Sequence, residues 1–96
     1  MPIELTSTQL DLAAKLSEHA KDACELVGLQ CQKCEPQHFY LTVYRYYGRV
    51  SGMSAEMDRC IDWCMSKGKV VFTGQRFGNW CANEVKWARE DQIKKA

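Results

Sequence analysis

Long apolar runs are missing from this chain. The longest uninterrupted apolar stretches span only a few residues, as in Val70-Val71-Phe72, whereas a helix that crosses a bilayer needs about 20 apolar residues. The first residues, Met1-Pro2-Ile3-Glu4-Leu5, also lack the basic and apolar segments of a secretory signal. These absences predict a soluble protein of the cytoplasm with no membrane partner.

The local signatures of several large enzyme classes are also missing. The sequence contains no phosphate-binding glycine loop, no His-Glu-x-x-His motif and no Gly-x-Ser-x-Gly motif. Its two histidines, His19 and His38, have no nucleophile signature around them. We therefore expect a non-enzymatic protein.

Neither sign of charge dominates the whole chain, but the two halves differ. The net charge is +1; residues 1–37 carry three lysines against six acidic residues, and residues 38–96 carry ten basic against six acidic residues. The excess in the second half is too small for a dedicated nucleic-acid arm. A fold could still gather these basic residues on one face.

Length and composition are those of one ordinary globular domain. The 96 residues are 46% apolar and 26% charged, which supplies one core and leaves too little chain for a second domain. We predict a single domain over residues 1–96.

The clearest local pattern lies near the start of the chain. Thr6 is followed three residues later by Gln9, which is the spacing of a capping box. Apolar residues then recur every three or four positions up to Val27, and Gly28 is a natural stop. The pattern predicts a helix over residues 7–27, followed by a polar connection over residues 28–37.

Residues 38–50 are ambiguous between helix and strand. Apolar residues alternate from Phe39 to Val43, and the segment is rich in residues that favour strands. Pro36, however, suits the first position of a helix, and no partner strand of similar length is visible. We favour a helix. Its buried side would contain Tyr40, Tyr44 and Tyr47.

Two further helices are predicted in the second half. Ser54 is a typical N-cap for a helix that ends near Gly68, and Thr73 is a cap for a last helix. The fold class is therefore mostly α, a compact bundle of about four helices with a short extended link at residues 70–72. An α+β fold with residues 38–50 as a strand is the alternative. The predicted core consists of Leu10, Leu16, Cys24, Val43, Tyr47, Met57, Ile61, Cys64, Phe72, Phe77, Trp80 and Val85.

Six cysteines are many for this length and suggest a metal site. Cys31 and Cys34 from a loop, with Cys60 and Cys64 from one helical face, could supply the four thiolates of a tetrahedral zinc site. The second pair, however, lies on the stripe predicted to face the core, and free cysteine is among the most buried residue types. We favour core packing without a cofactor and keep zinc as the alternative.

Aromatic and cationic side chains are interleaved within residues 44–49. Arg45, Tyr46 and Arg49 combine rings with guanidinium groups. That mixture suits base stacking and phosphate contact, and it suits a protein hot spot equally well.

Residues 67–80 connect two predicted helices, loosely as in a helix-turn-helix, through a longer link than the usual three or four residues. The order is a Lys-Gly-Lys link, a threonine cap and Arg-Phe-x-Asn-Trp. It is similar to short segments of small phage and plasmid replication-accessory proteins. The resemblance implies that Lys69, Arg76 and Asn79 lie near the start of a candidate recognition helix.

Three functions follow, in order of preference. The first is a small accessory module of phage or mobile-element type that binds DNA or a nucleoprotein complex through its basic second half. The second is a protein-binding inhibitor or adaptor, similar to anti-CRISPR proteins, whose exposed aromatic anchors contact a host protein or a second copy of the chain. The third is a small structural-zinc module. The predicted binding residues are Arg45, Tyr46, Arg49, Trp63, Lys67, Lys69, Arg76, Asn79 and Trp87.

Overall fold

A computed structural model describes the backbone of residues 4–50 and 52–95 and the side chains of residues 4–50 and 52–86.

The first long helix is built as the sequence predicts. Helix α1 is Ser7–Val27. The Gln9 amide donates to Thr6 Oγ1 at 3.2 Å, and the Thr6 amide donates to Gln9 Oε1 at 2.9 Å, which completes the capping box. Gly28 ends the helix at φ 79°, a left-handed conformation that glycine adopts without strain.

One face of α1 is buried along a row of residues four positions apart. Leu16, Ala20 and Cys24 are buried, and Leu12 extends the row as a half-buried residue packed against the core. Leu10 lies two positions from Leu12, which puts it roughly on the opposite side of the helix, and it is 43% exposed. The prediction of Leu10 as a core residue is therefore wrong.

The predicted polar connection after α1 contains a short strand. Strand β1 (Gln30–Gln32) pairs in parallel with β2 (Val71–Thr73), in a register that places Cys31 beside Phe72. The link at residues 70–72, predicted to be extended, thus contributes to a two-stranded sheet. A strand of three residues is too short to show the alternating pattern by which strands are recognised in a sequence.

Residues 36–46 are helical, which confirms the preferred prediction for this segment and shows that the strand alternative is wrong. Pro36 begins a 3₁₀ helix (Pro36–Phe39) that continues into α2 (Tyr40–Tyr46). The Glu35 amide donates to His38 Nδ1 at 3.1 Å and so satisfies one of the free donors at the helix start. The proline ring fixes φ in the helical range, and this outweighs the strand propensity of the residues that follow.

The buried side of α2 differs from the predicted one. Phe39 and Val43 are buried and Tyr46 is half-buried, whereas Tyr44 is 54% and Tyr47 is 46% exposed. The helix ends at Tyr46, and Tyr47 has left the helical conformation at ψ 123°, so helical spacing does not apply to Tyr47. The predictions that Tyr44 is buried and that Tyr47 is a core residue are wrong.

Helix α3 (Met53–Ser66) begins earlier than predicted. Its N-cap is Gly52, in a left-handed conformation at φ 67°, rather than Ser54. Met53 is buried four positions before Met57, so the apolar stripe extends one turn further back and the helix with it. The predicted buried stripe is confirmed at Met57, Cys60, Ile61 and Cys64.

Helix α4 (Gly74–Lys95) follows β2 directly. The Arg76 amide donates to Thr73 Oγ1 at 3.1 Å, which confirms the predicted threonine cap. Phe77 is buried, and Trp80 packs against the core as a half-buried residue. Val85, also predicted in the core, is half-buried.

The described residues form four α-helices and one two-stranded sheet around a common apolar cluster. The Phe39 and Phe77 rings meet edge to face at its centre, with centroids 6.2 Å apart, a favourable aromatic geometry. This architecture confirms the predicted mostly α bundle. None of the described helices has the length and apolar character that a bilayer-crossing segment requires. The core predictions confirmed as buried are Leu16, Cys24, Val43, Met57, Ile61, Cys64, Phe72 and Phe77.

Candidate functional site

Two glycines bring the start of α4 close to the elements before it. Gly74 and Gly78 lie four residues apart and so share one side of the helix. A Cβ atom at Gly74 would lie 2.9 Å from the Lys33 carbonyl oxygen, and one at Gly78 would lie 2.9 Å from Thr42 Oγ1. Real Cβ atoms essentially never approach other atoms so closely. Glycine at position 74 therefore permits the close contact of α4 with the loop after β1 and with the 3₁₀ helix, and glycine at position 78 permits its close contact with α2.

A cavity of about 450 Å³ lies beside this contact. It is lined by the loop after β1, the 3₁₀ helix, α2 and the first turns of α4. Leu41 and Tyr46 supply apolar and aromatic surface, and the other large side chains of the lining are polar or basic. They are Lys33, His38, Thr42, Arg45, Gln75 and Asn79.

Two neighbouring cavities share residues with the first one and extend the basic surface. One is lined by Tyr44, Arg45, Tyr46 and Arg49, and the other by Tyr46, Arg49 and Lys86 with two small apolar residues. Among the residues that the structure describes, no aspartate or glutamate lines any of the three cavities. We call this continuous surface the basic groove, defined by Lys33, His38, Arg45, Tyr46, Arg49, Asn79 and Lys86.

A separate cavity, of about 360 Å³, lies between α3 and α4. Trp63 and Trp80 both line it, with ring centroids 6.2 Å apart and ring planes 56° apart. Trp80 Nε1 donates to Glu56 Oε2 at 2.9 Å, and Arg59 Nη1 donates to Glu56 Oε1 at 3.2 Å. The Trp80 ring is therefore held in place by a charged acceptor. We call this space the tryptophan cavity; its lining is Cys60, Trp63, Arg76, Asn79, Trp80 and Asn83.

Among the residues whose side chains the structure describes, Arg76 is the one charged residue in the lining of the tryptophan cavity. Its side chain is half-buried, and its Nε atom is enclosed without a hydrogen-bond partner. Buried donors normally have a hydrogen-bond partner, and the described contacts within the protein provide none for this Nε atom. Burial raises the pKa of the Cys60 thiol to about 12, and the charge of Arg76 offsets only a small part of that rise.

The four cysteines of the zinc hypothesis occupy apolar or hydrogen-bonded positions. Cys60 and Cys64 are fully buried on α3, Cys34 is buried, and Cys31 is half-buried. Cys34 Sγ donates to the carbonyl oxygens of Gln32 at 3.3 Å and Phe72 at 3.7 Å, and burial raises the pKa of this thiol. In the part of the chain that the structure describes, no three His, Cys, Asp or Glu side chains are grouped to hold a metal ion. The zinc hypothesis stays a prediction, which the metal content of the purified protein would check.

The predicted binding residues divide between two surfaces. Arg45, Tyr46 and Arg49 lie in the basic groove, Trp63 and Arg76 line the tryptophan cavity, and Asn79 lines both. Lys67 and Lys69 are exposed on the α3–β2 link and line none of these cavities. The side chain of Trp87 lies outside the described residues.

Sequence reasoning missed part of the basic groove. Lys33, His38 and Gln75 line it but were not among the candidate residues, and they come from separate stretches of the chain. One signal was present: two glycines four residues apart near the start of a helix indicate that another segment approaches closely there. That spacing would have directed attention to the side of α4 that carries Gln75.

Comparison with known proteins provides no relative for this chain. No protein-family model, no curated protein and no solved structure matches it.

Proposed function

We propose that this chain is a small non-enzymatic accessory module, of phage or mobile-element type, that binds DNA or a nucleoprotein complex in the cytoplasm. The observation that carries the proposal is the basic groove. Four cationic side chains, Lys33, Arg45, Arg49 and Lys86, line three connected cavities in whose described lining no carboxylate takes part. Clustered cations without interspersed acids favour a polyanionic ligand.

The chemistry of the groove also suits a nucleic acid better than a simple anion. Tyr44 is 54% exposed beside Arg45, so rings and guanidinium groups alternate along α2. Asn79 and Gln75 add amide groups that both donate and accept hydrogen bonds. Phosphate contacts, base stacking and polar contacts to base edges are thus available on one surface.

The groove differs from the recognition-helix arrangement expected from residues 67–80. The first turn of α4 packs against the 3₁₀ helix at Gly74, which is buried, and Arg76 is half-buried rather than projecting. We therefore place the DNA contact along α2 and the adjacent side of α4, with Asn79 as the residue common to both interpretations.

The test compares two variants that lose the same charge. Arg45→Gln/Arg49→Gln removes two cations of the groove, and Lys15→Gln/Lys21→Gln removes two exposed cations of α1 that line none of the cavities. Fluorescence anisotropy with a labelled DNA oligonucleotide should show at least tenfold weaker binding for the groove variant, which corresponds to about 1.4 kcal/mol. Equal affinities of the two variants would contradict the proposal.

The protein-binding alternative has less support from the arrangement of its anchors. Of the predicted aromatic anchors whose side chains the structure describes, Tyr46 is half-buried and Trp63 alone is exposed, so a single exposed ring is available to a partner protein. A pull-down from bacterial lysate with and without nuclease distinguishes the alternatives. A stoichiometric protein that stays bound after nuclease treatment would favour the inhibitor or adaptor.

A further inference from the structure

We propose that the tryptophan cavity receives one unpaired base of a single-stranded DNA whose phosphates lie in the basic groove. The inference rests on the proposed function and deepens it, because it assigns the strandedness of the ligand and a second contact site. The cavity volume of about 360 Å³ is at the lower end of the range for ligand pockets.

The indole rings supply the stacking surface. Trp63 is 39% exposed, so part of its ring is accessible to a ligand. Trp80 is fixed by its hydrogen bond to Glu56, so this wall of the cavity loses little freedom when a ligand binds. Every base has a π-face that can stack on such a ring, whatever its identity.

The polar lining suits the edge of a base. Asn79 and Asn83 each offer a donor and an acceptor, and the terminal nitrogens of the Arg76 guanidinium add donors. The described lining contains no acidic residue. A planar ligand with hydrogen-bonding edges and an attached phosphate would satisfy all of these groups.

Because the tryptophan cavity adjoins the basic groove, a DNA strand that occupies both sites fits better than a free nucleotide. Asn79 lines both the 450 Å³ cavity of the basic groove and the tryptophan cavity, so the two sites adjoin across α4. A base within a duplex is stacked on both faces and cannot present a face to Trp63 unless it is unstacked. The exposed ring of Tyr44, beside Arg45 and Arg49, offers a further stacking face along the same strand.

The experiment measures single-strand and duplex affinity separately. The probe is a fluorescein-labelled thymidine oligonucleotide of about 12 nucleotides, used alone and annealed to its complement, with anisotropy as the readout. Trp63→Ala should bind the single strand roughly 5- to 150-fold more weakly than the unmodified protein and leave duplex affinity unchanged. Met65→Ala, a matched variant of an exposed apolar residue on the same helix that lies outside the cavity, should change neither affinity.

A second variant keeps the test decisive if Trp63→Ala fails to fold. Asn83 is exposed on α4, and Asn83→Ala should weaken single-strand binding by about 3- to 10-fold.

Single-strand affinity that is unchanged in both variants, or a loss shared equally by single strand and duplex, would overturn the base site. If Arg45→Gln/Arg49→Gln still abolishes binding in that case, the proposed function stands without the base site. Failure of the unmodified protein to bind either probe would overturn the proposed function itself.

Discussion

Single residues decide how closely the elements of this protein approach each other. Gly74 and Gly78 allow contacts that no other residue would allow, and the buried hydroxyl of Ser17 donates to the Cys34 carbonyl oxygen, which ties α1 to the loop after β1. The basic groove depends on these positions because its lining comes from the elements that they hold together.

Gly74→Ala should destabilise the fold, although alanine is better than glycine inside a helix by about 1 kcal/mol. The added Cβ would lie 2.9 Å from the Lys33 carbonyl oxygen and 3.0 Å from the His38 carbonyl oxygen. Those backbone atoms can withdraw only if the 3₁₀ helix shifts. We expect a net loss of about 1–3 kcal/mol in the free energy of unfolding, measured by urea denaturation.

Gly78→Ala is the matched comparison, because its Cβ would meet a side-chain atom, Thr42 Oγ1. Thr42→Ala removes that atom and should therefore restore part of the stability lost in Gly78→Ala, which a double-mutant cycle would detect as coupling. The same Thr42→Ala change should restore nothing in Gly74→Ala. If Gly74→Ala is as stable as the unmodified protein, the close packing at this position is wrong.

Buried thiols should make the stability depend on pH. Burial raises the pKa of Cys60 and of Cys81 from 9.0 to about 12. In the unfolded chain the same thiols ionise near pH 9.0, so their contribution to stability is complete below that pH and is lost as the pH rises from 9 towards 12. The free energy of unfolding, measured with reductant present, should fall over this range. Cys81→Ala should show a shallower fall, and an identical fall in both proteins would contradict this cause.

At the scale of elements, the helices with complete local signals were predicted best. Helix α1 has its capping box and its stop at Gly28 in the sequence, and its predicted limits match the structure. The face of α2 was predicted wrongly for two reasons. The helix ends at Tyr46, so helical spacing does not extend to Tyr47, and the buried face contains Phe39 and Val43 rather than Tyr44. The β1–β2 pair was missed because its partners are three residues long and far apart in the chain.

The Thr73 hydroxyl, which caps α4, should contribute measurably to the stability of the protein. Thr73→Ala removes the acceptor for the Arg76 amide, which now lies 3.1 Å from Thr73 Oγ1. We expect the free energy of unfolding to fall by about 1 kcal/mol. Thr73→Ser keeps a hydroxyl at the same position and should lose much less in the same denaturation experiment. Equal losses in the two variants would show that the cap does not stabilise α4.

At the scale of the whole molecule, the candidate site was only partly predictable. Arg45, Tyr46 and Arg49 were found because they lie within one aromatic and basic segment. Lys33 was not assigned to the same surface, and Lys86 was one of several cations in the second half without an assigned position, because only the packing of the elements decides which cations line the groove. The basic half of the sequence indicated the kind of surface, and the fold determines which cations belong to it.

The central claim is that the four cations of the basic groove bind the phosphates of DNA, and the dependence of affinity on salt tests it most directly. Each phosphate contact with a single strand contributes about −0.7 to the slope of log affinity against log salt concentration. Four contacts predict a slope near −2.8, or a loss of roughly 50-fold between about 50 and 200 mM salt. An affinity for single-stranded DNA that stays constant over this range, or no measurable binding at the lower concentration, would contradict the account.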